Sequence, residues 1–237
     1  MTAVTAQNPD EVRRVDILSS ASVRSQLETI LDLIPVRFAK TGMLAERKII
    51  RCVAKIAAKY KLSLIVDPVM VSTSGVRLLE ESAVEEMKNQ LFPLAEWLTP
   101  NIPEAELICN RKISSTSGLV EAAKMLFEQY NCNIILKSGH LSGTGEAADI
   151  VCHAGKLFVL SSPRLAVSGN TAHGTGCTLS SALTANLALG KNWRQALLEA
   201  KAFVCGSLAE KVSLSNELCQ MYPPAGSWLD KVQLDEL

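Results

Sequence analysis

Three short, mainly apolar runs, Val36–Ala39, Leu62–Val66 and Ile134–Leu136, have the length and character of strands buried on both faces. Trp97–Leu98, just ahead of Thr99-Pro100, reads as a fourth. Helical patterns lie between them. Arg47–Tyr60 sets Ile49, Ile50, Val53, Ile56 and Ala57 along one face, and Ser82–Leu91 and Gly118–Tyr130 behave alike. This alternation predicts an α/β fold with a largely parallel sheet. Ala147–Cys152 and Lys156–Leu160, separated by His153-Ala154-Gly155, predict an antiparallel hairpin at a sheet edge. Thr178–Leu189 and Trp193–Lys211, rich in alanine and leucine, predict two packed helices joined at Gly190-Lys191-Asn192. Met221–Leu237, with Pro223-Pro224, predicts a turn and a short terminal segment. With no repeat, low-complexity tract or linker, residues 1–237 read as one domain.

Composition changes this picture little. Charged residues make up 20% of the chain, Lys+Arg 24 balances Asp+Glu 24, and no basic run suggests a nucleic-acid partner. No apolar stretch reaches membrane-spanning length. The seven cysteines are scattered, with no C-x-x-C pair or zinc spacing. Their odd number and the lack of a secretory pattern at the start predict a reducing, cytoplasmic setting.

The sharpest chemical feature is His173-Gly174-Thr175-Gly176-Cys177-Thr178-Leu179-Ser180, which runs straight into a helix. Glycines there let backbone N–H groups approach an anion, and the helix dipole favours negative charge. The same dipole is expected to lower the Cys177 thiol pKa. A capped helix with an inert cysteine explains the motif about as well when it is taken alone. Thr99-Pro100-Asn101-Ile102-Pro103-Glu104-Ala105-Glu106 follows the Trp97–Leu98 strand, on the edge of an open α/β sheet where ligands bind. Asn101 and Glu104 could serve Mg²⁺ and nucleotide phosphates through waters, or merely cap a helix. Lys137, in Leu136-Lys137-Ser138-Gly139-His140, could neutralise phosphate charge or be solvated. Asp67, in Asp67-Pro68-Val69-Met70, could polarise a metal-bound water, pair with a cation or cap the loop Ser72–Leu79. His140 and His153 read as surface or supporting residues, since neither sits in a metal-like cluster. In this order an acid, a candidate metal site, a lysine and a glycine-rich helix start compose a phosphoryl-transfer kit.

These segments, with Thr5-Ala6-Gln7-Asn8 and Lys40-Thr41-Gly42-Met43-Leu44, resemble the hydroxymethylpyrimidine/phosphomethylpyrimidine kinases of thiamine biosynthesis, from Met1 to about Leu189. The resemblance implies a ribokinase-like three-layer α/β/α fold, ATP and Mg²⁺, a small pyrimidine substrate, and a tendency to homodimers. By position it implies that Gln7 hydrogen-bonds the aminopyrimidine while Met43 and Val69 wall the ring. It further implies Asn101 and Glu104 at Mg²⁺ and phosphate, Lys137 facing phosphate, and an anion hole at Gly174, Thr175, Gly176 and Cys177. Cys177 stands where many ribokinase relatives carry an aspartate base. Pyridoxal kinase, and a non-catalytic binding or regulatory remnant of the kinase, are the competing expectations.

The sequence departs from that family pattern at its start. Family members open with a strand, a glycine-rich loop and a helix before T-A-Q-N, which here begins four residues after Met1. A βαβ-sized piece of roughly 30 residues is thus expected to be absent, leaving strand edges unpaired and the sheet N-terminally incomplete. Asn170-Thr171-Ala172-His173 carries an extra alanine, and Met221–Ser227 lacks the family's glycine-rich ending.

Overall fold

A computed structural model of the chain describes residues 1–8, 11–70, 79, 81–138, 146–165, 174–213 and 219–237. The loop 72–78 and residues 139–140 and 170–173 considered above lie outside them. The body of the protein is a seven-stranded sheet in the order β11-β8-β7-β6-β5-β4-β3. Its strands are β3 (Phe38–Thr41), β4 (Ser63–Val66), β5 (Ala95–Leu98), β6 (Asn133–Leu136), β7 (Glu146–His153), β8 (Lys156–Pro163) and β11 (Gln233–Glu236), while β9 (Val212–Ser213) and β10 (Cys219–Gln220) pair apart from it. Strands β3 to β6 run parallel, whereas β7, β8 and β11 pair antiparallel.

Alternation along the central strands builds two cores. Leu64, Val66, Leu98, Ile134 and Leu136 face one way, against α2 (Arg47–Tyr60) and α5 (Thr116–Tyr130). Ile65, Trp97 and Ile135 face the other, against α6 (Thr175–Ala188) and α7 (Trp193–Ala209). The α/β/α layering expected from the sequence is therefore realised. Among the described residues no helix is long and apolar enough to cross a membrane, and all seven cysteines are free.

Several boundaries differ from expectation for identifiable reasons. Strand β3 starts and ends two residues later than Val36–Ala39, because its pairing with β4 carries the extended backbone through the polar Lys40 and Thr41. The Ser82–Leu91 pattern splits: α3 (Glu81–Glu86) passes into a wider turn at Met87–Leu91, which buries both Met87 and Leu91. Helix α6 begins at Thr175 rather than Thr178, with Gly174 in the left-handed conformation (φ 82°) ahead of it. The hairpin β7–β8 is longer than expected and turns at Ala154-Gly155, both with positive φ. The terminal segment contributes a strand, β11, which caps the sheet.

Apolar periodicity did not announce the first thirty residues. There, β1 (Ala3–Gln7) and β2 (Val12–Ile17) form a separate hairpin, followed by α1 (Ser20–Leu31), N-capped by Ser19. The hairpin is mostly exposed and α1 buries only Val23, so neither has a strong apolar face to read.

Candidate active site

The parallel strands deliver their chemistry at their C-terminal ends, as open α/β sheets do. Backbone bonds lace these ends together: Asp67 N–H donates to Thr41 O at 3.1 Å, Thr99 N–H to Val66 O at 3.0 Å and Lys137 N–H to Pro100 O at 2.8 Å. The side chains that follow β4, β5 and β6 are thereby held side by side.

Asp67, only 1% exposed, is the hub. Lys137 Nζ donates to its Oδ1 at 2.9 Å, Ser180 Oγ to its Oδ2 at 3.2 Å, and Thr99 Oγ1 to its Oδ1 at 3.4 Å, while Lys40 Nζ lies 3.8 Å from Oδ2. Of the sequence-stated alternatives for Asp67, pairing with cations is what the geometry displays. Burial pulls the Lys137 pKa down, but Asp67 and Glu104 outweigh it and the net shift is upward, so the lysine stays a cation.

Helix α4 (Ile102–Cys109) starts with a capping box: Asn101 Oδ1 accepts from Glu104 N–H, and Glu104 Oε2 accepts from Asn101 N–H, each at 2.9 Å. Glu104 Oε1 also accepts from Met70 N–H at 3.4 Å. Burial pushes the Glu104 carboxyl up to about 7, with Lys137 and the Asn101 N–H opposing. A buried carboxylate this poorly compensated is suited to a cation. Among the described residues no three His, Cys, Asp or Glu side chains converge as a metal cage. Mg²⁺ beside a nucleotide needs only one or two carboxylates, phosphates and waters, so the hard oxygens of Glu104 and Asn101 fit it.

The first turn of α6 closes the site. Its N-cap, Gly174, makes no side-chain cap bond, and the positive end of the helix dipole there favours an anion. A Cβ at Gly176 would stand 2.8 Å from Lys137 Nζ, so the glycine lets the lysine lie close against the helix start. The expected lowering of the Cys177 pKa is not realised. Burial first, then the Asp67 carboxylate, raise it above the ordinary thiol value and outweigh nearby Lys40 and Lys137, although the residue keeps an exposed edge.

Two cavities flank the start of α6. The larger, about 710 Å³, is lined by Gln7, Met43, Val69, Gly174 and Cys177 among others. It thus gathers all three residues singled out for the ring. The smaller, about 200 Å³, lies between β7–β8 and α6–α7 and is lined by Lys137, Asp149, Ser162, Thr175, Gly176 and Lys201. Each is bordered by a buried hydroxyl that has no hydrogen-bond partner among the described residues, Thr41 Oγ1 in the larger and Ser162 Oγ in the smaller. Sequence reasoning missed Ser180, and missed the buried pair Lys201–Asp149 at 2.7 Å, whose Asp149 also accepts from Ser138 N–H at 3.1 Å. Ser180 lay within the quoted glycine motif; Asp149 and Lys201 are too far apart in sequence for any pattern to join them. His153 stacks on Trp193 at 3.9 Å between ring centroids, and burial lowers its pKa.

Residues 1–221 match the family described as phosphomethylpyrimidine kinase. The chain belongs to the phosphomethylpyrimidine kinase family. It is 36% identical over 234 residues to a hydroxymethylpyrimidine/phosphomethylpyrimidine kinase of Haemophilus influenzae, covering 96% of this chain and 84% of that one. It is 39% identical over 209 residues to the thiamine biosynthesis bifunctional protein ThiED of Geobacter sulfurreducens, covering 88% of this chain but 42% of that longer protein. In structure it is similar to the pyridoxal kinase of Staphylococcus aureus in complex with AMP-PCP and pyridoxal, with a TM-score of 0.86 and 27% identity, covering 100% of this chain and 86% of that one. The fold of this family member is accordingly ribokinase-like, with its two cavities at the strand ends where the sheet meets α6.

Proposed function

We propose that the chain is a kinase transferring the γ-phosphoryl group of ATP to 4-amino-5-hydroxymethyl-2-methylpyrimidine, to its monophosphate, or to both, in thiamine biosynthesis. The observation that carries the reading is a pair of cavities on either side of the start of α6, the smaller one bordered by Lys137, within a chain of this family. The larger cavity suits the pyrimidine, with Gln7 as hydrogen-bonding group and Met43 and Val69 as apolar walls. The smaller suits the nucleotide.

In this reading the substrate oxygen attacks the γ-phosphorus in line, and the bond to the β–γ bridging oxygen breaks. Lys137 and the N–H groups at Gly174, Thr175, Gly176 and Cys177 hold the charge that gathers on the transferred oxygens. Asp67 keeps Lys137 aimed. Glu104 and Asn101 would hold Mg²⁺, which would supply charge neutralisation of the ATP phosphates. With its thiol pKa raised, Cys177 acts better as a lining and N–H donor than as a resting thiolate base.

The organisation of the domain belongs to the same proposal. In this reading residues 1–237 form one domain built around the seven-stranded sheet. The two apolar cores, packed on opposite faces of that one sheet, support this. A cytoplasmic, homodimeric enzyme is the accompanying expectation.

Pyridoxal phosphorylation is the second reading, favoured by the similarity to the Staphylococcus pyridoxal kinase. Mass-spectrometric product analysis with MgATP and each of the three acceptors separates the two. Pyrimidine phosphates as the main products support the proposal; pyridoxal phosphate alone would shift the assignment. A folded chain that binds the pyrimidine without phosphorylating it would point to a non-catalytic remnant.

A further inference from the structure

A serine or threonine inside a helix commonly turns its hydroxyl back onto the carbonyl three or four residues earlier. Thr184 of α6 does this, its Oγ1 donating to Ser180 O at 2.7 Å. Ser180, 0% exposed in the same helix, reaches further. Its Oγ lies 3.1 Å from both Gly176 O and Cys177 O, and 3.2 Å from Asp67 Oδ2 at the end of β4.

A hydroxyl has one proton to give, and here three acceptors compete for it. The two carbonyls already accept backbone N–H groups within the helix. The carboxylate is charged, so the bond to it is the stronger. Asp67 Oδ2 also depends on it more. Oδ1 has Lys137 Nζ at 2.9 Å and Thr99 Oγ1 at 3.4 Å, but Lys40 stays 3.8 Å from Oδ2. The Cys177 thiol, which also leans on this carboxylate, is a weak donor.

The side-chain torsion that turns an aspartate carboxylate is soft, and its two oxygens move together. Whatever fixes Oδ2 therefore also sets Oδ1. With Ser180 in place, Oδ1 faces Lys137, which lies close against Gly176. Without it, the carboxylate is free to turn Oδ2 towards Lys40 and carry Oδ1 away from Lys137. Ser180 itself borders neither of the two cavities. Its influence on bound reactants has to pass through Asp67.

We infer that Ser180 is a positioning residue for phosphoryl transfer: it locks the rotation of Asp67 and, through it, the aim of Lys137 at the transferred group. The inference rests on the kinase reading and deepens it. It also gives the first two turns of α6 a second task. Besides presenting its start to the cavities, the helix steadies the lysine that works beside that start.

The test is a double-mutant cycle on the full chain, read by single-turnover phosphorylation of hydroxymethylpyrimidine with MgATP. Ser180→Ala should slow the chemical step by roughly 5- to 50-fold, the scale of a lost hydrogen bond to a charged group. The steady-state KM values for both substrates should stay nearly unchanged. Ser180→Cys, close in size and a weaker donor, should fall between the two, and it carries the test if the alanine variant does not fold. In a Lys137→Met background either substitution should cost nothing further, because the group it aims is gone. Urea unfolding of each variant establishes that a folded protein is being read. An equally large extra loss on top of Lys137→Met would overturn the inference, since Ser180 would then act on the fold at large. Wild-type rates in the folded Ser180 variants would overturn it too. Both results leave the kinase reading standing, whereas a wild type that phosphorylates neither a pyrimidine nor pyridoxal would sink both.

Discussion

The two edges of the main sheet are finished very differently. At one, β11 lies along β8 with Leu234 turned inward and Gln233, Asp235 and Glu236 exposed, and Lys156 pairs with Glu236 at 3.0 Å. Exposed charge of this kind protects a strand edge from pairing further. At the other, β3 has β4 as its one neighbour among the described residues, and the 710 Å³ cavity opens beside it. Val4, Ile17, Ile30, Leu33 and Ile34 leave large apolar side chains exposed in the segments that precede β3. The cavity proposed for the nucleotide is thus built on a closed, well-covered part of the fold. The cavity proposed for the acceptor is built on an open one. Specificity for the acceptor is therefore the property most exposed to change, and charge handling at Lys137 the least.

The largest effect that would sharpen this contrast comes from Lys137→Met. Turnover should fall roughly 10²- to 10³-fold, as when a donor to a developing anion is removed. Stability should fall too, because Asp67 loses its best partner while buried. Steady-state kinetics and urea unfolding measure the two. A variant that keeps wild-type turnover would remove Lys137 from the chemistry.

Leu160→Ala, on β8 and fully buried, should cost about 2–5 kcal/mol in urea unfolding, with the substrate preference retained. An effect below about 1 kcal/mol would mean that the β8 side is less tightly built than described.

Glu104 links the site to pH. Its pKa is raised from 4.5 to about 7 in the folded protein. Its stabilising contribution is therefore full below about 4.5 and is lost as pH rises through about 7. The swing is on the order of 3 kcal/mol. Urea unfolding across pH 4.5–8 should show this loss in the wild type and a flatter profile in Glu104→Gln. Identical profiles would contradict the assignment of a strained carboxylate.

The smallest effect is expected at the open edge. Leu33, 84% exposed, should tolerate Leu33→Ser within about 0.5 kcal/mol, while self-association at high protein concentration declines. Sedimentation at several concentrations reads this out. A large loss of stability would show that this surface is covered after all.

How much of this was legible in the sequence follows the same division. The layered α/β core was readable because Ile49, Ile50, Val53, Ile56 and Ala57 repeat at helical spacing and the short apolar runs fall between such helices. The hairpin β1–β2 and helix α1 were not, since they carry little buried apolar surface. At the site, Asn101, Glu104, Lys137 and the glycine-rich start of α6 stood out because each follows or begins an element with recognisable punctuation. What held them together did not. Asp67 meets Lys137 across 70 positions and Ser180 across 113, and no local pattern encodes such a meeting. The Cys177 expectation failed for a related reason: the helix dipole is a local effect, whereas the burial and the Asp67 charge that overrule it are tertiary.

The most direct test of the account is a crystal structure of the chain with AMP-PCP, Mg²⁺ and hydroxymethylpyrimidine. The account predicts the nucleotide between β7–β8 and α6–α7, the pyrimidine in the larger cavity against Gln7, Met43 and Val69, and the terminal phosphate between Lys137 and the start of α6. A nucleotide or pyrimidine bound elsewhere, with Lys137 still paired only to Asp67, would contradict it.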